Sequence, residues 1–382
     1  MDQPVLRLQN LSVGYGSHTI VRDISVDFRR GRMTCILGSN GAGKTTLLKT
    51  VCRLLPPLDG EVCLNGRALR TLRSSELARE MAVVLTNKVD IENLTGFEAA
   101  AMGRYPHTGF FCRLSDEDYR VVEKYLRLCS AEYLRDKYFQ EMSDGEKQKI
   151  MLVRGLAQEA PLLLLDEPTS HLDIKHKLEL LHALRTLCLQ EGRTIICTLH
   201  EPDLAIKSCD DLVLVKEDRI LSAGTVEEVL GSGTLDTLYG FSGGQFNPLL
   251  GTVEFQNPPD REVFILGSDE NTLAVMRELN KFSVGFGIGV LRQNEIAYHV
   301  AATMGAAAVA VLPFAPVTET ALESAAELAA GCQTVLLSDC PADEGSRALA
   351  DRLRALGSVV LSLTRENWRE TVQKICEKKV GR

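Results

Sequence analysis

One glycine-rich loop constrains the fold of this 382-residue chain more than any other feature. An apolar stretch, Met33 to Leu37, leads into Gly-Ser-Asn-Gly-Ala-Gly-Lys-Thr at positions 38–45, and a helical pattern runs from Thr45 to Leu55. A strand, a glycine loop and a helix in this order form a cradle in which backbone N–H groups and the helix N-terminus hold phosphate. The loop therefore predicts an α/β fold that binds a nucleoside triphosphate.

The loop also predicts individual ligands. Its glycines let the backbone adopt angles that other residues resist, and they leave room for the phosphates. Lys44 supplies a positive charge for the β- and γ-phosphates, and the hydroxyl of Thr45 can bind Mg²⁺. Tyr15, upstream, is placed to stack on adenine or is an ordinary turn aromatic. The nucleotide-binding residues expected from the loop are Gly38, Ser39, Asn40, Gly41, Ala42, Gly43, Lys44, Thr45 and Thr46.

A second conspicuous feature is a run of leucines that ends in two acids. Leu162 to Leu165 predicts a buried strand, and Asp166 and Glu167 follow at its carboxyl end, where α/β sheets place their chemistry. We expect Asp166 to hold Mg²⁺ through water and Glu167 to orient or deprotonate the attacking water. His200 follows another predicted strand, Thr194–Leu199, where it can reach a γ-phosphate; a surface or core histidine is the alternative.

Between these motifs, Ser143 and Glu146 form an S-x-x-E capping box that opens a helix through Met151. By itself the pattern indicates a well-capped helix. Between a glycine loop and an acidic strand, Ser-x-Gly-Glu is typical of ATP-binding cassettes, in which this helix start faces the γ-phosphate bound by the opposite monomer. Phe-Ser-Gly-Gly-Gln at 241–245 looks like the same kind of motif, but it follows the acidic pair instead of preceding it. Pro248 comes soon after it and disfavours a helix there, so we expect a linker turn.

Composition excludes several classes of protein. The net charge is −8, and acidic residues outnumber basic ones in both halves, so nucleic acid is not expected as a partner. The eleven cysteines are scattered and odd in number, which favours reduced thiols over a disulfide framework or a zinc site. No apolar run approaches the ~20 residues that span a bilayer, and the start of the chain is not a signal peptide. A membrane role would need separate subunits.

The length suits about two domains. Gly, Pro, Asn and Gln are frequent from Gly240 to Asp260, so we expect an ATPase domain at 1–250 and a second domain at 258–382. In the first, residues 74–140 have helical patterns and the covered strands indicate a mostly parallel sheet. In the second, strands alternate with helices, which predicts a small doubly wound α/β domain. Its expected strands are Val263–Leu266, Val284–Val290, Ala308–Leu312, Thr334–Leu337 and Ser358–Leu363.

Across residues 5–250 the chain resembles the ATPase subunits of the iron-siderophore, haem and cobalamin family of ABC importers. The resemblance lies in Ala-Met-Gly-Arg-Tyr-Pro-His-Thr-Gly at 101–109 and in Asp-Glu-Pro-Thr-Ser-His-Leu-Asp-Ile at 166–174. It implies a mixed sheet with an antiparallel β subdomain and a helical subdomain. It also implies that a homodimer sandwiches ATP, with Ser143 and Gly145 supplied by the opposite chain and Asp173 in the dimer-contacting loop.

The same resemblance implies partners and a location. Two integral-membrane permease subunits would meet the region around 86–110, and an extracytoplasmic binding protein would deliver the cargo. The ATPase would be peripheral, on the cytoplasmic face of the inner membrane. Siderophore, haem and cobalamin all remain open as cargo. A soluble ABC ATPase without a permease is the alternative, although residues 44–143 contain no sustained heptads of the kind found in chromosome-maintenance ATPases.

Three departures from the family stand out. Thr86 occupies the position where the family has a glutamine that contacts Mg²⁺ or water, so we expect Thr86 to serve as a metal ligand of shorter reach. Asp144 replaces the first glycine of the Leu-Ser-Gly-Gly-Gln string that is usual in the family, and it places a negative charge near incoming phosphate. The second domain is additional, and we expect it to regulate or dimerise the ATPase, or to bind transported cargo as feedback control.

Overall fold

The computed structural model of this chain describes residues 3–86, 91–109, 113–170, 172–240, 242–338 and 344–380. The chain divides into two compact units, Met1–Tyr239 and Gly240–Arg382. Each unit has its own sheets and its own buried apolar residues. No helix among the described residues is both long and apolar enough to cross a membrane.

The first unit contains two sheets. An antiparallel sheet has the order β2-β1-β4-β5, and a mixed sheet has the order β10-β9-β3-β8-β7-β6, parallel except for the β9–β10 pair. The predicted mixed sheet with an antiparallel part is therefore confirmed. The strands are β1 (Leu6–Tyr15), β2 (His18–Phe28), β3 (Met33–Gly38), β4 (Asp59–Leu64), β5 (Arg67–Ala68), β6 (Met81–Val84), β7 (Leu162–Leu165), β8 (Thr194–Thr198), β9 (Asp211–Lys216) and β10 (Arg219–Thr225).

Strand order decides where chemistry can occur in this unit. Strands β3, β8 and β7 are adjacent and parallel, and every residue in them is buried. Their carboxyl ends therefore lie side by side at one edge of the sheet. The glycine loop follows β3, the acidic pair follows β7, and His200 follows β8. Strand β6, inside a region with helical patterns, pairs with β7 and places Thr86 at the same edge.

Helices cover this unit. Their bounds are α1 (Lys44–Val51), α2 (Ser74–Glu80), α3 (Gly96–Ala101), α4 (Asp116–Leu128), α5 (Asp144–Ala157), α6 (Ile174–Glu191), α7 (Pro202–Ser208), α8 (Val226–Gly231) and α9 (Thr234–Tyr239). The predicted end of α1 at Leu55 is wrong. Helix α1 ends before the proline pair because Arg53 adopts a left-handed conformation (φ 64°) and its guanidinium donates to the carbonyl of Leu72 at 2.6 Å.

A buried ion-pair network fixes the segment between α3 and α4. Arg104 is 5% exposed and donates to Asp118 at 2.7 Å, to Glu159 at 2.9 Å and to the carbonyl of Ala157 at 2.7 Å. Burial by itself raises the pKa of Asp118, but hydrogen bonds from Ser115 and the Arg104 guanidinium outweigh it and lower the pKa to about 2. The arginine of the 101–109 sequence is therefore a structural residue.

The second unit is a five-stranded parallel sheet of order β15-β14-β13-β16-β17, with apolar cores on both faces. Helices α10, α11 and α14 pack on one face, and α12 and α13 pack on the other. This is the predicted doubly wound arrangement. Its elements are β13 (Arg261–Leu266), α10 (Thr272–Lys281), β14 (Gly285–Arg292), α11 (Ile296–Thr303), β15 (Ala307–Val311), α12 (Glu319–Ala330), β16 (Thr334–Leu337), α13 (Glu344–Ala355), β17 (Val359–Ser362) and α14 (Trp368–Val380), preceded by β11 (Gly244–Asn247) and β12 (Thr252–Phe255).

The expected linker is partly a hairpin of the second unit. Strands β11 and β12 pair antiparallel, so the Gly-Gly-Gln string neither opens a helix nor forms a linker turn; Phe241 lies outside the described residues. Polar residues that suggested a linker are buried and paired. Asn247 donates to Thr303 at 3.1 Å, and Glu254 pairs with Arg277. The hairpin therefore belongs to the second unit, which begins at Gly240 rather than after residue 250.

Candidate active site

The glycine loop encloses the ammonium group of Lys44. Its Nζ donates to the carbonyls of Gly38 at 2.8 Å and Ser39 at 3.1 Å, and the residue is 6% exposed. Burial lowers the pKa of Lys44, whereas the nearby charges of Glu167 and Asp166 oppose that effect. The lysine is thus held at the centre of the loop by backbone oxygens that a phosphate can replace.

The start of α1 is suited to an anion. Gly43 caps this helix in a left-handed conformation (φ 94°) and contributes no side-chain hydrogen bond, so backbone N–H groups of the first turn remain available. A side chain at Gly43 would clash with Val21, since an added Cβ would lie 2.6 Å from it. Gly41 also has a positive φ (82°), with open space where its side chain would be. The expected ligands Asn40, Ala42 and Thr46 lie in the same loop and helix start.

Asp166 is the centre of the polar contacts at the sheet edge. It is 1% exposed, and its Oδ2 accepts the hydroxyls of Thr45 at 2.9 Å and Thr86 at 3.0 Å. Its Oδ1 accepts the hydroxyl of Thr198 at 2.9 Å. The three expected metal ligands, Thr45, Asp166 and Thr86, therefore meet at one carboxylate. The atoms of these three residues that could bind a metal are all oxygens, which fits the preference of Mg²⁺ for hard ligands.

Glu167 is held in a strained conformation beside this carboxylate. Its φ is 49°, a left-handed value that is uncommon for a residue other than glycine. His200 Nε2 lies 2.7 Å from Oε1, and the Ser170 hydroxyl donates to Oε2 at 3.1 Å. The amide of Glu167 donates to Thr198 Oγ1 at 2.8 Å. The carboxylate is 26% exposed, so it can reach solvent or a substrate water.

Two contacts were not anticipated from the sequence. Thr198, the last residue of β8, joins Asp166 and the Glu167 amide through one buried hydroxyl. Gln148, in α5, donates to the Glu167 carbonyl at 2.9 Å, so the helix that begins at the Ser143 cap contacts the backbone of the acidic pair. The signal for Thr198 was its position at the carboxyl end of a parallel strand. No local pattern indicated Gln148.

The residues expected from an opposite chain, and Asp173 of the expected dimer-contacting loop, lie at helix starts. Ser143 caps α5, and the predicted capping box with Glu146 is confirmed: the Ser143 amide donates to Glu146 at 2.8 Å. Asp173 caps α6 and accepts from the His176 amide at 2.9 Å. Among the described residues, the hydrogen bonds of Ser143 and Asp173 remain within these helix starts. Gly145 is in the first turn of α5, and His171 lies outside the described residues.

Tyr15 lies at the end of β1, where it pairs with His18 across the β1–β2 hairpin. Its side chain is 49% exposed. An exposed aromatic ring at this point is available to stack on a base, as expected from the sequence, and adenine stacking remains a prediction.

Sequence comparisons identify the family. The ABC transporter family model matches residues 21–170. An uncharacterised ABC transporter ATP-binding protein of Methanocaldococcus jannaschii is 42% identical over 287 residues, which are 74% of this chain and 99% of that protein. This chain belongs to the ABC transporter ATP-binding proteins. It is an ABC ATPase, as the order of its motifs predicts.

Other relatives of this ABC ATPase have named functions. The ferric enterobactin transport ATP-binding protein of Escherichia coli is 34% identical over 242 residues, with 63% of this chain and 89% of that protein covered. The cobalamin import ATP-binding protein of Halobacterium salinarum is 30% identical over 328 residues, with 84% and 82% covered. A solved ATP-binding subunit of an ABC transporter is 28% identical, with a TM-score of 0.55, and covers 62% of this chain and 98% of its own. The MJ0874 family matches residues 286–381.

The buried hydroxyl of Thr198 gives a prediction for stability. Thr198→Val should lower the free energy of unfolding by about 1–3 kcal/mol, because it removes the hydroxyl that pairs with the buried Asp166 carboxylate and with the partly buried amide of Glu167. Thr34→Val is the matched control: Thr34 is also a buried strand threonine, and its hydroxyl has no hydrogen-bond partner among the described residues. Urea unfolding of both variants measures the difference, and equal losses would contradict the role of Thr198.

Asp144 gives a prediction for activity. Asp144→Gly should raise the basal ATPase rate about twofold to fivefold. In the dimer expected from the family resemblance, this carboxylate would face incoming phosphate charge, and such repulsion costs up to ~1 kcal/mol in water. Asp144→Asn should produce a similar increase if charge is the cause, and added salt should reduce the difference. Asp116→Asn is the control, since it removes a first-turn charge from α4 instead. An unchanged or slower rate for both Asp144 variants would contradict this explanation.

Proposed function

We propose that this ABC ATPase works as a head-to-tail homodimer that energises the import of a metal chelate through a separate permease. The main support for the proposal is that the residues expected around ATP lie in two groups. The glycine loop, the acid pair and His200 converge at one sheet edge, whereas Ser143 and Asp173 are turned to their own helix starts. A second chain supplying its own Ser143 and Gly145 would complete each ATP site.

Different residues of one chain would have different roles in ATP hydrolysis. Lys44 and the first-turn amides of α1 bind phosphate. Thr45, Asp166 and Thr86 would hold Mg²⁺, which neutralises phosphate charge when bound. Glu167 accepts the proton of the attacking water or orients it. His200 fixes the Glu167 carboxylate from one side and Ser170 from the other, so its direction is set before substrate arrives.

The cargo class follows from the relatives rather than from this chain. Named relatives are ATP-binding proteins for ferric enterobactin transport, iron(3+)-hydroxamate import and cobalamin import. These cargoes are all metal ions held in an organic chelate, so we assign this class, which also includes haem, to the system that this subunit serves. The subunit would be peripheral on the cytoplasmic face of the inner membrane, and an extracytoplasmic binding protein would select the individual chelate.

The permease contact is proposed for the exposed side of the 101–109 segment. Arg104 is buried, but the adjacent Tyr105 is 51% exposed. The inner side of the segment is anchored, since the Pro106 carbonyl accepts from Arg79 at 3.1 Å and His107 Nε2 lies 2.7 Å from the Gln158 carbonyl. A rigidly held, exposed tyrosine has the properties of an interface anchor.

Co-purification from the native membrane tests this function. Tagged Glu167→Gln protein with Mg-ATP should recover a permease with many membrane-spanning helices, and its binding protein can then be tested with iron chelates, haem and cobalamin. Tyr105→Ala, added to that variant, should reduce permease recovery at least about tenfold. Tyr133→Ala is the control, because Tyr133 is 63% exposed and lies outside this segment. Recovery of soluble partners alone, with the permease expressed, would support a stand-alone ATPase instead.

A further inference from the structure

Three cysteines from three different segments meet inside the ATPase unit. Cys35 lies on β3 and Cys197 on β8, and the two are register partners in the parallel pair, so their side chains share one face of the sheet. Cys209 follows α7 directly and brings its sulfur to the same face. The three sulfur atoms all lie within 4.8 Å of one another. This group is called the thiol cluster below.

The spacing of the thiol cluster suits one metal ion. Metal–sulfur bonds of about 2.3 Å place the sulfurs of one ion about 4 Å apart, so small side-chain rotations bring the cluster to bonding distance. Its three donors are all soft sulfur atoms. Among the described residues, no further histidine, cysteine or carboxylate belongs to the group. Structural zinc sites use four ligands, so a three-thiolate group favours the monovalent, soft ion Cu(I).

The three members of the cluster differ in exposure. Cys35 and Cys197 are buried, whereas Cys209 is partly exposed as a residue, although its sulfur is buried with the other two. Cys209 is therefore the member of the cluster nearest to solvent, and a metal ion that binds the cluster displaces the protons of its thiols.

We propose that Cys35, Cys197 and Cys209 form a binding site for one soft monovalent cation of the Cu(I) type. The site is separate from the ATP site and does not depend on the transport function proposed above. It lies at the base of the glycine loop, because β3 carries Cys35 and leads directly into that loop. Thermodynamic linkage then requires that any effect of the ion on ATP affinity be matched by an equal effect of ATP on ion affinity.

Anaerobic titration of the reduced full-length chain with the Cu(I)–bicinchoninate complex tests the proposal. The colour of the complex should fall as about one ion per chain moves to the protein. Labelling with a maleimide, mapped by mass spectrometry, should then show Cys209 protected by Cu(I). Cys63, which is also partly exposed, is the internal control and should label equally with and without the ion. No transfer of Cu(I), or equal protection of Cys63, would overturn the site.

Variants then identify the ligands. Cys209→Ser should lower Cu(I) affinity at least about tenfold, and Cys35→Ser and Cys197→Ser should do the same. Cys63→Ser should bind like the unaltered chain. Because Cys112 and Cys340 lie outside the described residues, all variants are made in a Cys112→Ser/Cys340→Ser background. Two results would overturn the three-cysteine assignment: loss of Cu(I) uptake in the Cys112→Ser/Cys340→Ser background itself, or full Cu(I) affinity in Cys209→Ser. Both results can be obtained even if Cys35→Ser and Cys197→Ser fail to fold.

Discussion

Glu167→Gln should lower the ATPase rate of the full chain at least about 100-fold while leaving ATP binding intact. The amide keeps the size of the side chain and can still contact His200 and Ser170, which lie 2.7 Å and 3.1 Å from the carboxylate. It cannot accept the proton of the attacking water. With hydrolysis blocked, ATP should hold two chains together, and size-exclusion chromatography with light scattering should detect an ATP-dependent dimer.

A second glutamate provides the control for this result. Glu217 also has a left-handed backbone (φ 53°) but lies in the turn between β9 and β10, away from the acidic pair in the chain. Glu217→Gln should therefore hydrolyse ATP at the normal rate. A normal rate for Glu167→Gln would refute its role as the base, whereas loss of ATP binding in that variant would show that the substitution had damaged the fold of the site.

Lys44→Ala should weaken ATP binding about 10- to 150-fold, because a charge-assisted hydrogen bond is worth about 1.5–3 kcal/mol. The ammonium is fixed by the carbonyls of Gly38 and Ser39, so its charge is already directed into the loop that binds phosphate. Removing it leaves the first-turn amides of α1 as the main phosphate donors. Calorimetric titration with a non-hydrolysable ATP analogue and Mg²⁺ measures the loss.

Lys49→Ala is the matched control for Lys44→Ala. Lys49 lies on the same helix, α1, but in its last turn, at the end opposite the glycine loop. It should change ATP affinity less than about twofold, since the effect of a charge on an anion at the helix N-terminus falls off within the first turn. Equal losses in the two variants would indicate a general effect of charge or helix stability rather than a phosphate contact by Lys44.

The features of the site that are easiest to predict from the sequence are those formed by consecutive residues. The glycine loop is contiguous, and a strand before it with a helix after it is enough to specify a phosphate cradle. The same is true of the Ser143–Glu146 capping box, which needs only four consecutive residues. The end of α1 was missed because it is decided by the contact of Arg53 with the carbonyl of Leu72, and that contact is tertiary.

The segment 240–260 was predicted as a linker and is partly a hairpin, again because tertiary contacts decide its structure. Asn247 and Glu254 are polar residues of the kind that mark loops, but both are buried and paired, with Thr303 and Arg277 respectively. Their partners lie in α10 and α11, which follow later in the chain. Composition alone therefore predicted a boundary segment where the second unit has a hairpin.

The sequence by itself determined the class of this protein, because the three phosphate-handling motifs and their order can be read without any contact between them. Only the tertiary structure decided which further residues join them. Sheet order places β8 between β3 and β7, so Thr198 reaches Asp166, and Cys35 meets Cys197. Packing of α5 brings Gln148 to Glu167. Strand order depends on the packing of the whole unit rather than on local patterns, and for that reason these contacts could not be predicted from the chain alone.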